Sequence, residues 1–293
     1  MRHYEILAPA KTNLTLHVLG RRPDGFHEIA SLLVPISLCD RLEVRVGGAA
    51  VRVRVPDAPS LEGDDNLCAR AARAFASRTG LPAGVDVLLE KRIPVAAGLG
   101  GGSSDAGAVL RCLAHAHGLP EDDPALLAAA ADVGSDVPFF LRCRPAVARG
   151  RGERLEAAPT IPPLDLLVLK PAFGISAGEA YGLLARLRAS GDLPGGREVP
   201  LPRSLPDPSA VLRLLHNDLE TAVERRWPVA PLRERLLACG AAAAMLSGSG
   251  SAVVGYFTDR EAREKCSKSI RLARGEGLFP ARTLQAPPAV RET

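Results

Sequence analysis

A glycine-rich stretch, PVAAGLGGGSSDAG at residues 94–107, limits what this chain can fold into more than any other segment. Its glycines permit positive φ angles and a close approach of the backbone to a ligand. An alternating apolar run at Val85–Glu90 predicts a strand before it, and apolar residues at helical spacing follow as far as Gly118. Strand, glycine loop and helix N-terminus together form an anion site, because free N–H groups and the helix dipole meet there. The commonest anion at such a loop is a nucleotide phosphate.

The loop differs from the two best-known phosphate-binding patterns. No Lys-Ser or Lys-Thr follows the glycines, which excludes the P-loop, and Ser103 and Asp105 stand where a dinucleotide-binding loop needs its third glycine. Ser103, Ser104 and Asp105 are instead predicted to provide the N-cap of the following helix. A glycine-rich turn without any ligand is the alternative interpretation.

Length and composition limit the class of protein. A chain of 293 residues allows one large or two moderate domains with a sizeable core. The net charge of +4 suits a phosphorylated substrate and is too small to indicate nucleic-acid binding. Six cysteines without a CxxC pair indicate free thiols in a reducing compartment. No signal peptide or apolar span of about 18 residues is recognisable, so no membrane partner and a cytoplasmic location are predicted.

The first half of the chain is predicted to be rich in strands. Residues 5–19 alternate, with Lys11, Asn13, Thr15 and His17 on the face opposite to the apolar residues. Alternation in residues 42–46 and 51–55 around two glycines predicts a β-hairpin. Asn66 is predicted to cap a helix that runs towards Gly80.

In the second half, the predicted elements are helices and strands joined by glycine-rich loops. Asp136 is predicted to lie between a helix end and an apolar strand, with Pro138 forcing an extended or turned backbone. Residues 190–208 are rich in proline and glycine and predict an exposed, mobile connection. Residues 241–256 predict a strand, a glycine-serine loop and a second strand.

Seven segments in this order together resemble the GHMP kinase superfamily: APAKTN, DGFHE, DDNL, PVAAGLGGGSSDA, GSDVPFF, HNDLE and LSGSGS. The resemblance implies an α+β, two-domain GHMP kinase fold. Residues 1–154 would form a ribosomal protein S5 domain 2-like N-terminal domain with the ATP loop. Residues 155–284 would form a ferredoxin-like α+β C-terminal domain, followed by a flexible tail at 285–293. The loop at LSGSGS would fold back against the phosphate loop.

The extra glycine and the SSDAG run resemble one branch of this superfamily. That resemblance implies ATP-dependent phosphorylation of the 2-hydroxyl of 4-diphosphocytidyl-2-C-methyl-D-erythritol, which yields the 2-phosphate and ADP in the non-mevalonate pathway to isoprenoids. The implied cofactors are ATP and Mg²⁺, and the implied partners are these small molecules, with no nucleic acid. A monomer or weak homodimer is expected.

Matching the motifs residue by residue implies a set of site residues. Asp136 would accept the proton of the attacking hydroxyl, and Lys11 would pair with Asp136 and counter negative charge. Ser104 Oγ would reach Mg²⁺. The implied nucleotide-binding residues are Asn66, Lys91, Pro94, Val95, Ala96, Ala97, Gly98, Leu99, Gly100, Gly101, Gly102, Ser103 and Ser104. The implied substrate-binding residues are Asn13, Phe26, His27, Asp136 and Tyr181, with Phe26 standing where many relatives carry tyrosine.

Three other functions remain open from the residues. A GHMP kinase for homoserine or a mevalonate-type alcohol would share the loop but would not need the DGFHE segment with Asn13. A nucleotide-binding protein without catalysis would not need both Lys11 and Asp136. An RNA-binding module could share the α+β layout, although the sequence has no basic stripe.

Overall fold

The structure is a computed structural model that describes residues 1–293 and contains two β-sheets. The twelve strands are β1 (Arg2–Arg21), β2 (His27–Val46), β3 (Val51–Arg54), β4 (Val85–Glu90), β5 (Ala146–Gly150), β6 (Arg154–Ala157), β7 (Asp165–Lys170), β8 (His216–Asn217), β9 (Ala243–Leu246), β10 (Val253–Phe257), β11 (Gly277–Arg282) and β12 (Arg291–Glu292). Helices and strands both contribute to each half, so the predicted α+β class is confirmed.

Nine α-helices accompany the sheets: α1 (Leu67–Thr79), α2 (Gly101–His117), α3 (Pro124–Val133), α4 (Val137–Arg142), α5 (Ala177–Ala189), α6 (Pro208–Leu212), α7 (Asp218–Glu224), α8 (Ala230–Ala238) and α9 (Arg260–Ser269). The predicted cap of α1 is confirmed, because the Asn66 side chain accepts a hydrogen bond from Cys68 N at 2.8 Å and Gly80 ends the helix in the left-handed region. No helix of the structure has both the length and the apolar character needed to cross a membrane.

The first sheet has the order β12-β1-β2-β4-β3, with β5 beside β2, β6 beside β5 and β8 beside β1. The predicted hairpin of residues 42–46 and 51–55 is wrong, because β4 lies between those two segments. β4 pairs antiparallel with β2 and parallel with β3. The chain crosses from β3 to β4 through α1, and a helical crossover of this kind joins parallel strands. Burial of one face of α1 on the sheet therefore decides the pairing, which local alternation could not reveal.

The second sheet has the antiparallel order β11-β7-β10-β9. Numbered within this half, the order is 4-1-3-2 with helices between the first two and last two strands, which is the ferredoxin-like arrangement predicted. The two halves share a core, in which Leu14 and Val34 of the first sheet lie in one cluster with Val168 and Tyr256 of the second. Packing across this boundary fixes the relative position of the sheets.

The observed boundaries differ from the predicted ones. The first sheet continues to Ala157 and also includes β8, so a division at residue 154 does not follow the sheets. Residues 285–293, expected to be a flexible tail, add β12 to the edge of β1, and Pro288 O accepts a hydrogen bond from Arg111 at 2.8 Å. Tertiary pairing thus orders a segment that has no periodic pattern of its own.

The segment at residues 190–208, expected to be exposed and mobile, is mostly exposed, as expected, but it contacts the protein at several places. It forms no helix or strand before α6, but Leu205 is buried and Glu198 pairs with Arg149 at 2.9 Å. A side chain at Gly196 would overlap the backbone of Val18, which shows how closely the segment packs there.

Candidate active site

The glycine loop connects β4 to α2 and leaves the first N–H groups of that helix free. Gly100, at φ 71°, precedes the helix, and Ser104 N donates to Gly100 O at 2.9 Å. The N–H groups of Gly101, Gly102 and Ser103 therefore have no acceptor within the helix. No side chain caps α2, so the predicted N-cap role of Ser103, Ser104 and Asp105 is wrong: all three lie within the helix. The exposed N–H groups and the helix dipole still form an anion site.

A second loop, residues 247–252, holds the glycine loop in place. Ser251 N donates to Ala96 O at 3.3 Å and Ala252 N to Ala97 O at 3.2 Å. Gly98, at φ +72°, lies so close that a Cβ atom there would be 1.9 Å from Ser247 O. The prediction that the glycine-serine loop folds back against the phosphate loop is therefore confirmed.

Two cavities meet at the glycine loop. The larger has a volume of about 910 Å³ and the smaller of about 570 Å³. Both are bordered by Gly98, Gly100, Ser103, Ala177 and Ser249. The loop thus separates two ligand-sized spaces and is accessible from each, which is the arrangement that transfer of a group between two bound molecules requires.

The implied site residues are distributed over these two cavities, with Gly98, Gly100 and Ser103 bordering both. The larger cavity is bordered by all the implied catalytic and substrate-binding residues: Lys11, Asn13, Phe26, His27, Asp136 and Tyr181. The smaller is bordered by every implied nucleotide-binding residue except Ser104: Asn66, Lys91, Pro94, Val95, Ala96, Ala97, Gly98, Leu99, Gly100, Gly101, Gly102 and Ser103. We call the two spaces the acceptor cavity and the nucleotide cavity.

The cavities differ in charge. The acceptor cavity is bordered by four cationic side chains and one carboxylate: Lys11, Arg21, Arg151, Arg186 and Asp136. The nucleotide cavity is bordered by one cation and three carboxylates: Lys91, Glu62, Asp65 and Asp105. The acceptor cavity therefore favours a ligand that carries negative charge of its own.

Lys11 lies on β1 where this strand meets the glycine loop, and its backbone N donates to Leu99 O at 2.9 Å. Its buried Nζ donates to Asn13 Oδ1 at 2.7 Å, and Asn13 Nδ2 donates to Ser31 Oγ at 2.7 Å. Burial lowers the pKa of Lys11, and the charge of Asp136 acts in the opposite direction. The chain of hydrogen bonds fixes the ammonium group, whose Nζ lies 2.9 Å from where a Cβ of Gly248 would be, while the Lys11 Cγ lies against Gly100.

Asp136 immediately precedes α4, and the segment predicted to be an apolar strand after it is this helix. The proline fits there because the first turn of a helix needs no N–H donor at that place. The Asp136 carboxylate does not cap the helix and accepts no hydrogen bond from the protein. It borders the same cavity as Lys11, but no ion pair within 4.0 Å joins them, so the predicted direct pairing is absent. Lys11 binds Asn13 instead, and Asp136 is free to contact a ligand.

Aromatic rings border the acceptor cavity at some distance from the glycine loop. The His27 and Tyr181 rings lie 5.1 Å apart at 34°, and Arg151 lies 5.0 Å above the Phe26 ring. His27 Nε2 is buried without a hydrogen-bond partner, and burial followed by the charge of Arg21 lowers the pKa of His27. A neutral imidazole and flat rings suit a heteroaromatic base, which could stack and hydrogen-bond there.

The ammonium group of Lys91 is paired with two buried carboxylates and is not free to bind a ligand. Its Nζ binds Asp40 and lies 2.7 Å from Asp105 Oδ2. Burial opposes the charge on Lys91, but the two carboxylates outweigh it and raise its pKa, while burial raises the pKa of Asp105. Asp105, predicted to help cap α2, is part of this buried cluster instead. Asn66 is also occupied, because its Nδ2 donates to Leu61 O at 2.7 Å.

The oxygen atoms beside the glycine loop indicate which residues could bind the implied Mg²⁺. The Ser104 hydroxyl is buried without a hydrogen-bond partner, but this residue borders neither cavity. Ser103 borders both cavities and Asp136 borders the acceptor cavity. One hydroxyl and one carboxylate beside substrate phosphates fit the way in which Mg²⁺ usually binds to proteins. Ser103 and Asp136 therefore fit the ion better than Ser104.

Several cavity residues were not identified from the sequence. Arg21, Arg151 and Arg186 border the acceptor cavity, and Ser249 borders both cavities. Ser249 lies in the LSGSGS segment, so the motif itself could have indicated it. The arginines had no comparable signal, because arginine is frequent throughout the sequence.

Two family profiles match this chain. Residues 66–144 match the profile described as the GHMP kinases N terminal domain, and residues 207–273 match that of the GHMP kinases C terminal domain. The chain is similar to a 4-diphosphocytidyl-2-C-methyl-D-erythritol kinase of Anaeromyxobacter sp. (strain K), at 46% identity over 97% of this chain and 92% of the relative. It is 40% identical to the enzyme of that name from Syntrophotalea carbinolica, over 93% of this chain and 96% of the relative.

Solved structures show the same likeness in three dimensions. A crystal structure of 4-(cytidine 5'-diphospho)-2C-methyl-D-erythritol kinase matches with a TM-score of 0.78 and 36% identity, over 95% of this chain and 98% of the other. Homoserine kinase from Cytophaga hutchinsonii matches with a TM-score of 0.73 at 18% identity, over 99% of this chain and 97% of the other. The second likeness shows a shared fold alone.

Proposed function

This chain belongs to the GHMP kinases, and from that membership we propose that its two adjoining cavities hold ATP and a cytidine diphosphate-linked alcohol. The protein is an ATP-dependent kinase that phosphorylates the 2-hydroxyl of 4-diphosphocytidyl-2-C-methyl-D-erythritol, a step of non-mevalonate isoprenoid synthesis. The products are the 2-phosphate and ADP. The named relatives share 40% to 46% of their residues with nearly the whole of this chain.

One observation carries the assignment of roles: the glycine loop borders both cavities, while Lys11 and Asp136 border only the acceptor side. A phosphoryl group at the free N–H groups of Gly101, Gly102 and Ser103 would lie at the junction of the two spaces. Phosphoryl transfer depends mainly on alignment and on stabilisation of the charge on the phosphoryl oxygens. This junction is a suitable place for aligning the phosphoryl group and for stabilising its charge.

We assign the proton transfer to Asp136. Its carboxylate has no hydrogen-bond donor in the protein and borders the acceptor cavity, so it is available to accept the proton of the attacking hydroxyl. Lys11, held by Asn13 at 2.7 Å, would place a positive charge beside the transferred group. In this account Lys11 acts on the phosphoryl oxygens and needs no direct contact with Asp136.

The proposed ion is Mg²⁺, which would be held mainly by the ATP phosphates, with the Ser103 hydroxyl as a protein oxygen donor because this residue borders both cavities. When bound, it would neutralise charge on the phosphates. This neutralisation matters here because Lys91, the cation that borders the nucleotide cavity, is already occupied by Asp40 and Asp105. Within the nucleotide cavity itself, the protein would therefore offer free N–H groups rather than a free cation to ATP.

The charge and the aromatic residues of the acceptor cavity support the cytidyl substrate over other alcohols. Homoserine and mevalonate carry one carboxylate each, whereas the acceptor cavity contains four cationic side chains and an aromatic group at Phe26, His27 and Tyr181. A ligand with both a base and two phosphates would use all of these features.

A side-by-side assay tests the proposal. ADP release is measured with the cytidyl substrate, homoserine and mevalonate at equal concentrations, and the phosphorylated product is identified by ³¹P NMR. We expect turnover with the cytidyl substrate and little with the others. Lys11→Met keeps the aliphatic side chain against Gly100 and should lower kcat by about a hundredfold or more. Turnover of homoserine or mevalonate at a comparable rate would refute the substrate assignment.

The cellular setting is also part of this proposal. Action in the cytoplasm is supported by six cysteines that form no disulfide, as expected in a reducing compartment. A monomer or weak homodimer stays a prediction, which sedimentation analysis can test.

A further inference from the structure

Two arginines at the acceptor cavity have no partner within the protein. Arg21 ends β1 and Arg186 lies on α5, and neither guanidinium donates a hydrogen bond or forms an ion pair. Nearby arginines behave differently: Arg22 pairs with Glu28, and Arg188 pairs with Asp218 at 2.9 Å. Arg151, which also borders this cavity, donates to Ala131 O at 2.8 Å, so Arg21 and Arg186 are the arginines of the cavity whose guanidinium groups remain available to a ligand.

The position of Arg186 follows from the way α5 borders the cavity. One face of this helix lines the space along its length, through Ala177, Gly178, Tyr181, Gly182, Ala185, Arg186 and Ala189. The Arg186 side chain folds back towards the helix N-terminus, so that its Nη1 lies 3.8 Å from where a Cβ of Gly182 would be. The guanidinium consequently lies at the level of Tyr181, and the small residues leave space beside it.

Arg21 reaches the same region from the first sheet. It pairs with His27 across β1 and β2, and its charge helps to lower the pKa of His27. The His27 and Tyr181 rings are 5.1 Å apart, so the two arginines flank one aromatic pair from opposite elements. Both are exposed and open to a ligand.

The chemistry of the cavity indicates what these arginines bind. The carboxylate that borders this cavity, Asp136, is engaged with the hydroxyl in the proposed reaction, and the ATP phosphates occupy the N–H groups of the glycine loop. A guanidinium presents a planar fork that matches the oxygens of a phosphate. An anion bound beside the base would accept hydrogen bonds from both guanidinium groups.

We propose that Arg21 and Arg186 bind the diphosphate of the acceptor substrate and thereby select nucleoside diphosphate-linked alcohols; this inference rests on the proposed function. Phe26, His27 and Tyr181 hold the base, and the two arginines hold the diphosphate next to it. Binding at these places leaves the methylerythritol end directed towards Lys11 and Asp136.

Binding measurements separate this role from catalysis. Affinities for CDP and for cytidine are measured by calorimetry with the wild-type chain, Arg21→Met, Arg186→Met and the double variant. Arg52→Met is the matched control, because Arg52 is an exposed arginine of β3 without an ion pair. We expect the double variant to lose about tenfold in CDP affinity, as for loss of charge-assisted hydrogen bonds, while cytidine affinity stays within about twofold. Added salt should weaken CDP binding more in the wild type than in the double variant.

Each other outcome has a definite meaning. An equal loss of cytidine and CDP affinity in the double variant would show that the arginines support the base or the ribose, and would refute the inference. Unchanged CDP affinity would show that they do not contact the diphosphate. If the wild type bound a non-hydrolysable ATP analogue but neither CDP nor cytidine, the proposed acceptor would itself be wrong, and this inference with it.

Discussion

The contact between the glycine loop and the loop at residues 247–252 makes a sharp prediction for Gly98→Ala. Gly98 has φ +72°, and a Cβ there would be 1.9 Å from Ser247 O and 2.8 Å from Gly250 N. Both atoms belong to backbone, which cannot rotate away as a flexible side chain can. The loops must therefore separate by about 1 Å before the closest contact reaches 3.0 Å.

Gly118→Ala is the matched control. Gly118 ends α2 at φ +68°, and a Cβ there would have no atom within 4 Å. This variant bears only the cost of a left-handed alanine, about 1–2 kcal/mol. Gly98→Ala bears the same cost and, in addition, about 1–3 kcal/mol for overpacking. The difference between the two free energies of unfolding isolates the contact between the loops.

Activity should separate the two variants even more clearly. Gly98 borders both cavities, and a displacement of about 1 Å at a reacting centre can cost about a hundredfold in rate. Urea unfolding and steady-state kinetics of ADP release are measured on both variants. We expect near-normal kcat/KM for Gly118→Ala and a loss of about a hundredfold for Gly98→Ala. Equal stability and equal turnover in the two variants would refute the argument that this contact aligns the site.

Three further predictions follow from the geometry. Asp136→Asn should lower kcat by about two to four decades with an unchanged urea midpoint, since the carboxylate accepts no hydrogen bond from the protein; a kcat close to that of the wild type would contradict its role as base. Tyr181→Ala should raise KM for the cytidyl substrate by about tenfold through lost stacking, whereas Tyr181→Phe should leave KM nearly unchanged. An unchanged KM in Tyr181→Ala would show that the base binds elsewhere. Lys91→Met should lower the free energy of unfolding by about 3–5 kcal/mol, because it leaves two buried carboxylates without a cation. The double variant Lys91→Met/Asp105→Asn should recover part of that loss. A double variant no more stable than Lys91→Met would argue against this account of the cluster.

The distribution of charge gives the two cavities different means of binding phosphates. In the nucleotide cavity, Lys91 is paired with two carboxylates, so in the proposed function backbone N–H groups and the ion would bind the phosphates of ATP. In the acceptor cavity, Arg21 and Arg186 would bind the phosphates of the second ligand instead. A ligand that entered the other cavity would therefore lack the groups that bind its phosphates. This difference is one way in which a kinase with two phosphorylated ligands can bind each in its own cavity.

Local features were predictable because local interactions produce them. The Asn66 cap of α1 and the strand Val85–Glu90 both depend on residues within one turn or one strand. The glycine loop was predictable for the same reason, since left-handed backbone at Gly98 and Gly100 requires glycine in the sequence itself.

Site geometry was predictable only in part. The motifs identified Lys11 and Asp136 as residues of one site, and both border the acceptor cavity. They could not reveal that Lys11 binds Asn13 rather than Asp136, because that choice depends on how β1 packs on the glycine loop. The unpartnered state of Arg186 depends likewise on which neighbours the fold provides.

The sequence by itself determined the family, the glycine loop and the Asn66 cap of α1, because each depends on residues that are close together along the chain. The tertiary structure alone decided that β4 separates β2 from β3, that the last residues pair with β1, and that two arginines remain free beside an aromatic pair. These outcomes depend on contacts between residues far apart in the chain, whose energies appear only when the sheets and helices bury their apolar faces together.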